Sequence, residues 1–194
     1  GDMEIAKRLI DLAIMAGAQA IKLQTRTVEI VYSPDELAKS RPVPKTLLQN
    51  AIKRSVLPAE SVRRLEDSDF ENSTNGDLKR ALEFTVSELQ EIDAYCSRKG
   101  IAWFTSCWDV PSVERIERLF EVPCHKIASP CNEDDELLRT VRATGKPIIL
   151  STGMSDLTGV QRAVEVLGPE NLVILHCNCV YPNGTEAGED ILRL

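Results

Sequence analysis

Two lysines stand where a charged side chain is costly. Lys22 belongs to the run Ala-Gln-Ala-Ile-Lys-Leu at 18–23, and Lys126 to the mostly apolar run 123–128. Both runs read as strands, and a charge inside a covered strand must be paired or ligand-bound to offset its lost hydration. Short polar groups stand at or just beyond the ends of these and similar runs: Gln24, Ser106, Ser129, Ser151 with Thr152, then His176, Asn178 and Tyr181. Ammonium groups beside hydroxyls form charge-assisted hydrogen bonds with an anion, and phosphate is the natural candidate. A salt bridge to a buried carboxylate would serve the lysines as well, but no Asp or Glu lies within the strands themselves. A strand lysine can also be a Schiff-base nucleophile, and Lys126 is placed for that role too.

The remaining reactive residue types say less. His125 neighbours Lys126, so in a strand it faces the opposite way, toward the helices, and reads as structural. His176 is either a hydrogen-bonded core histidine or a ligand. The six cysteines, Cys96, Cys107, Cys124, Cys131, Cys177 and Cys179, form no CxxC pair. They read as buried free thiols of a reducing compartment, with a metal site or reactive thiol as the alternative.

The elements that must position these groups recur in order. Asp2 caps a helix over 4–16 with Ile5, Leu9, Leu12 and Ala16 on its inward face, and Gly17 ends it. Residues 26–84 read as an elaborated loop, with a short helix over 44–56, a mobile acidic stretch over 66–75 and a turn at Thr74-Asn75-Gly76-Asp77. From Thr85 the pattern is regular. A helix opened by a Thr85/Glu88 capping box carries Leu89, Ile92 and Cys96 inward and stops at Gly100. Strands are expected at 101–105, 123–128, 147–150 and 172–176. Between them lie helices over 110–120, from an Asn132 or Asp134 cap to Gly145, and over 156–167 with Leu157, Val160, Val164 and Leu167 inward. A further helix starts at Asp190.

Alternating strands and helices require a parallel sheet. No GxGxxG follows any strand, which weakens a dinucleotide fold. The expected fold is therefore α/β, a TIM (β/α)8 barrel, incomplete, with about five of eight strands in a single partial domain over 1–194. One strand would precede residue 1 and two would follow residue 194. The chain is long enough for a substantial core. Its net charge of −7 argues against nucleic acid as a partner, and no apolar run approaches the ~20 residues of a membrane span. No signal peptide is visible, so a cytoplasmic location is expected.

Taken together, several stretches resemble the sialic acid synthase (N-acetylneuraminate synthase) family, with its legionaminic, pseudaminic and spore-coat polysaccharide relatives. They are Gly17-Ala18 through Lys22-Leu23-Gln24-Thr25, His125-Lys126-Ile127-Ala128-Ser129, Gly145 through Met154, and Leu175-His176-Cys177 with Tyr181-Pro182. The resemblance implies a TIM barrel that condenses phosphoenolpyruvate with an N-acetylated amino sugar in its open aldehyde form. A divalent metal, Mn2+ or Mg2+, would orient the aldehyde. Lys22, Ser106, Lys126, Ser129 and Ser151 would hold the phosphate and carboxylate, and Gln24 and Tyr181 would contact the sugar or the bound intermediate.

The resemblance also places the metal-binding histidines, the acidic residue after the first strand and a small C-terminal domain outside this chain. No metal ligand is therefore assigned within it, and the 194 residues alone are expected to be inactive. At full length a homodimer is implied. Ser106, Cys131 and Cys179 depart from the family pattern, which leaves the sugar open. The alternatives are a 3-deoxy-sugar-acid synthase acting on a phosphorylated aldose, a Schiff-base aldolase using Lys126, and a barrel-derived binding module without catalysis.

Overall fold

The computed structural model describes residues 1–179; Tyr181 and the helix expected from Asp190 lie outside them. Five strands, β1 (Ala20–Thr25), β2 (Ala102–Cys107), β3 (His125–Ile127), β4 (Ile148–Ser151) and β5 (Leu172–Leu175), make one sheet in the order β1-β2-β3-β4-β5. The pairs β2–β3, β3–β4 and β4–β5 are parallel. Strand order follows chain order, without the reversal that marks a doubly wound sheet. The fold is α/β, as expected. Among the described residues, no helix is long and apolar enough to cross a membrane.

The chain divides into two compact units, Gly1–Trp103 and the residues from Phe104 onward. The first contains α1 (Met3–Met15), β1, α2 (Val28–Val31), α3 (Pro34–Ala38), α4 (Lys45–Lys53), α5 (Ala59–Asp67), α6 (Asn75–Leu82) and α7 (Val86–Lys99). The stretch expected as an elaborated loop is thus largely helical. It has its own core, in which Val43, Leu48, Ala51, Leu57, Leu65 and Ala81 are buried together. The Thr74–Asp77 segment opens α6 instead of making an isolated turn. Thr74 Oγ1 accepts from the Asp77 N–H at 3.3 Å, and the Thr74 N–H donates to Asp77 Oδ2 at 2.8 Å. Thr-x-x-Asp closes the same reciprocal pair as the longer Thr-x-x-Glu, so helix-start chemistry wins over turn chemistry here. Arg64 adds an ion pair to Asp77 at 2.5 Å.

α1 faces differently from its expected pattern. Ile5, Leu9 and Leu12 are exposed, and Ile10 is buried. The helix meets α7 through its polar side: Lys7 pairs with Glu91 at 2.5 Å, and Asp11 pairs with Lys99 at 2.8 Å and accepts from the Tyr95 hydroxyl. Residues 7, 10, 11 and 14 form one helical stripe, so docking through 7 and 11 turns Ile5, Leu9 and Leu12 outward. The α7 expectations hold: its capping box forms, and Leu89, Ile92 and Cys96 are buried.

The second unit packs α8 (Val110–Leu119), α9 (Asp135–Ala143) and α10 (Leu157–Leu167) with the sheet. Val113 and Ile116 of α8, Leu137, Leu138 and Val141 of α9, and Ala163 and Leu167 of α10 are buried alongside Ile127, Ile148 and Leu150 of the strands. Each helix has an aspartate cap: Asp109 accepts from the Ser112 N–H, Asp134 from Leu137 and Asp156 from Gly159. Leu157, expected inward, is 83% exposed. It is the first residue after the Asp156 cap, and α10 is anchored by the later residues Ala163 and Leu167.

Candidate active site

Register decides which strand side chains can meet. Ser106 stands level with Lys126, and Lys126 with Ile149. Ser151 lies two residues beyond Ile149, so Ser106, Lys126 and Ser151 share one face of the sheet while His125, Ile127 and Leu150 take the other. On that second face His125 Nε2 hydrogen-bonds Glu117 Oε1 at 2.8 Å, and Lys146 Nζ reaches the same oxygen at 2.9 Å. Burial holds the His125 imidazole below its ordinary value, although Glu117 pulls it upward. The structural role expected for His125 is the one it has.

On the first face Lys126 is half-buried. Its Nζ donates to the Ile127 carbonyl at 2.9 Å and to Ser151 Oγ. Ser106 and Ser151 are both buried. Ser129 opens the short 3-10 turn Ser129–Cys131 directly after β3. The loop after β4 comes close to that turn because residue 153 is glycine. A Cβ there would stand 3.0 Å from Ser129 Oγ and 3.3 Å from Cys177 Cβ, and would collide with Cys179 Sγ. Ser106, Lys126, Ser129 and Ser151 thus sit at the carboxyl ends of three adjacent strands.

Thr152, grouped with these residues in the sequence, does something else. Its hydroxyl donates to the Leu175 carbonyl at 2.8 Å and finishes the β4–β5 pairing. Sequence reasoning passed over Asn132 as a possible helix cap, and Asp134 takes that role. Asn132 is 1% exposed, and its Nδ2 donates to the Ser151 carbonyl at 2.7 Å and to Ser155 Oγ at 3.1 Å. It ties the end of β4 and the loop that follows to the turn after β3. The only sequence signal was an amide residue just after a strand end. Beside this loop, Thr152 to Leu157, Val160, Ile174, His176 and Cys177 line an open cavity of about 500 Å³.

Lys22 and Gln24 lie in the first unit, two residues apart on the same face of β1. Both are exposed, so the expectation of a buried Lys22 fails. Nearby protein still depletes hydration enough to lower the Lys22 ammonium from its ordinary value. Tyr181 lies outside the described residues.

An ammonium and three hydroxyls suit the oxygens of an anion, and fixed donors of this kind stabilise charge that develops on a departing group. They do not suit a metal ion. Among the described residues no group of three His, Cys, Asp or Glu could hold one.

The NeuB family model matches residues 48–189. An uncharacterized protein of Methanocaldococcus jannaschii is 30% identical over 96% of this chain and 45% of its own length. Human N-acetylneuraminate-9-phosphate synthase is 26% identical over 94% of this chain and 44% of its own. The crystal structure of a sialic acid synthetase from Leptospira borgpetersenii, in complex with citrate, superposes with a TM-score of 0.66 at 25% identity, covering 96% of this chain and 53% of that one. The chain spans just under half the length of these curated relatives.

Proposed function

This chain belongs to the NeuB family, and on that premise we propose that it forms part of an enzyme condensing phosphoenolpyruvate with an N-acetylated amino sugar of the N-acetylmannosamine type. The methylene carbon of the enol attacks the open-chain aldehyde, water adds at the carbon that bears the phosphate, and phosphate leaves from that carbon. The product is a nonulosonic, sialic-type acid. The observation that carries this reading is the Lys126–Ser151 pair with Ser106 and Ser129 at adjacent strand ends. Lys126 supplies the positive charge, and the hydroxyls supply directed donors for phosphate and carboxylate oxygens. Lys22 and Gln24 of β1, and Tyr181, are assigned to substrate binding as well. The sheet would be part of a (β/α)8 barrel completed by further chain, in which a divalent cation has its ligands outside the residues described here.

The test is an assay of the full-length protein with phosphoenolpyruvate, Mn2+ and a panel of N-acetylated hexosamines, following inorganic phosphate and the 2-keto acid together. Stoichiometric release of both with one sugar supports the reading. No phosphate release with any sugar overturns it, and borohydride trapping of substrate on Lys126 would replace it with a Schiff-base aldolase. The 194-residue polypeptide alone is expected to release none.

A further inference from the structure

Two thiols meet the loop that follows β4. Cys177 is half-buried and lines the cavity, its Sγ donating to the Leu175 carbonyl at 3.4 Å. Cys179 is exposed, and its Sγ rests against Gly153 at the point that Ser129 Oγ and Cys177 Cβ also approach. Consecutive Cα atoms are ~3.8 Å apart, so residues separated by one other lie within ~7 Å, and a slight bend brings them inside the ~6.8 Å that a disulfide spans.

The surroundings separate Cys177 from the other thiols. Burial pushes it up, but hydrogen bonds from the Ser151 hydroxyl and the N–H groups of Thr152 and Gly153, with the nearby Lys126 charge, outweigh burial and bring the thiol below its ordinary value. Burial instead drives Cys107 up to about 12 and Cys131 up to about 11. The thiolate is the nucleophile, so an accessible thiol in electropositive surroundings reacts first.

We propose that Cys177 and Cys179 are an oxidisable pair that a hydroperoxide converts to a disulfide. The Cys177 thiolate attacks a peroxide oxygen, the O–O bond breaks, and the departing oxide takes a proton, leaving Cys177 as the sulfenic acid. Cys179 sulfur then attacks that sulfur. The S–O bond breaks, hydroxide leaves with the Cys179 proton as water, and the S–S bond forms. Two electrons pass from the two thiols to the peroxide. Cys179 Sγ rests against Gly153, so oxidation acts at the loop that follows Ser151.

The test uses full-length protein at neutral pH with one equivalent of hydrogen peroxide and mass spectrometry of tryptic peptides. No Lys or Arg lies between Arg162 and Arg193, so both cysteines fall on one peptide. The expected result is a peptide two hydrogens lighter, restored by dithiothreitol. Cys179→Ser should instead give a dimedone adduct on Cys177, and Cys177→Ser should leave Cys179 reduced. The proposal is overturned if the wild-type peptide stays reduced, if Cys179 oxidises as fast without Cys177, or if either thiol bridges to a different cysteine. These readouts are masses of thiols, so they stand or fall independently of the condensation reaction.

Discussion

Lys126 carries the charge of the candidate site, and its neighbours decide what that charge can do. Its ammonium is held by the Ile127 carbonyl and the Ser151 hydroxyl, so it is already aimed before any anion arrives. Lys126→Met keeps the chain length and removes the donor; phosphate release by the full-length enzyme should fall ~10²–10³-fold, the usual cost of deleting one preorganised donor. Activity within tenfold of wild type would remove Lys126 from the chemistry. Asn132 acts one step back. Asn132→Leu keeps the volume but leaves the buried Ser151 carbonyl without its donor, a loss of ~1–3 kcal/mol, partly offset because the Asn132 Oδ1 atom is itself buried without a partner. A lowered urea midpoint with an unchanged m-value checks this, and an unchanged midpoint refutes it. Lys126 could be picked out of the sequence because a charge inside a strand needs an explanation. Asn132 could not, because an amide after a strand end looks like any helix cap until its partner 19 residues later is in place.

Between residues and the whole chain, the capping motifs show what local sequence can specify. The Thr85/Glu88 box was legible because both halves lie within one turn. Its coupling to Arg54, the residue that ends α4, was not, since that contact joins residues 34 positions apart. Burial raises the Glu88 carboxyl, but the bonds from Arg54 and Thr85 outweigh it and lower it from 4.5 to about 2. A carboxyl held below its unfolded value stabilises the fold above that value and loses the effect as pH falls through the folded one. Wild type should therefore exceed Glu88→Gln by a constant margin above pH 4.5, and the margin should shrink as the pH approaches 2. Urea unfolding at stepped pH measures it; a margin independent of pH over that window would show that the ion pair contributes nothing. The same distinction explains the 26–84 segment. Its helical spacing over 44–56 was visible, but the burial of Leu48 and Ala51 with Leu65 and Ala81 depends on contacts between separate helices, and no local pattern announces those.

At the scale of the whole molecule, alternation of strand and helix was enough to read a parallel α/β sheet, because only crossover connections produce that pattern. What alternation does not specify is how the sheet ends. Among the described residues β5 is the last strand in the sheet order, and Val173, Ile174 and Leu175 are 53%, 48% and 38% exposed. Neighbouring residues of a strand point to opposite faces, so this edge is apolar on both sides and carries no charged side chain. An edge strand without charged side chains is a template for pairing with another chain. The 194-residue polypeptide should therefore self-associate as its concentration rises, and Val173→Lys, which places a charge on the edge, should suppress this without changing the circular dichroism spectrum. In the proposed barrel the next strand would pair with β5, so the same substitution in the full-length protein should lower stability instead of altering assembly. Sedimentation velocity on both lengths, with and without the substitution, separates the cases. A 194-residue chain that stays monomeric at all concentrations would mean that the β5 edge is already covered and that the sheet ends there.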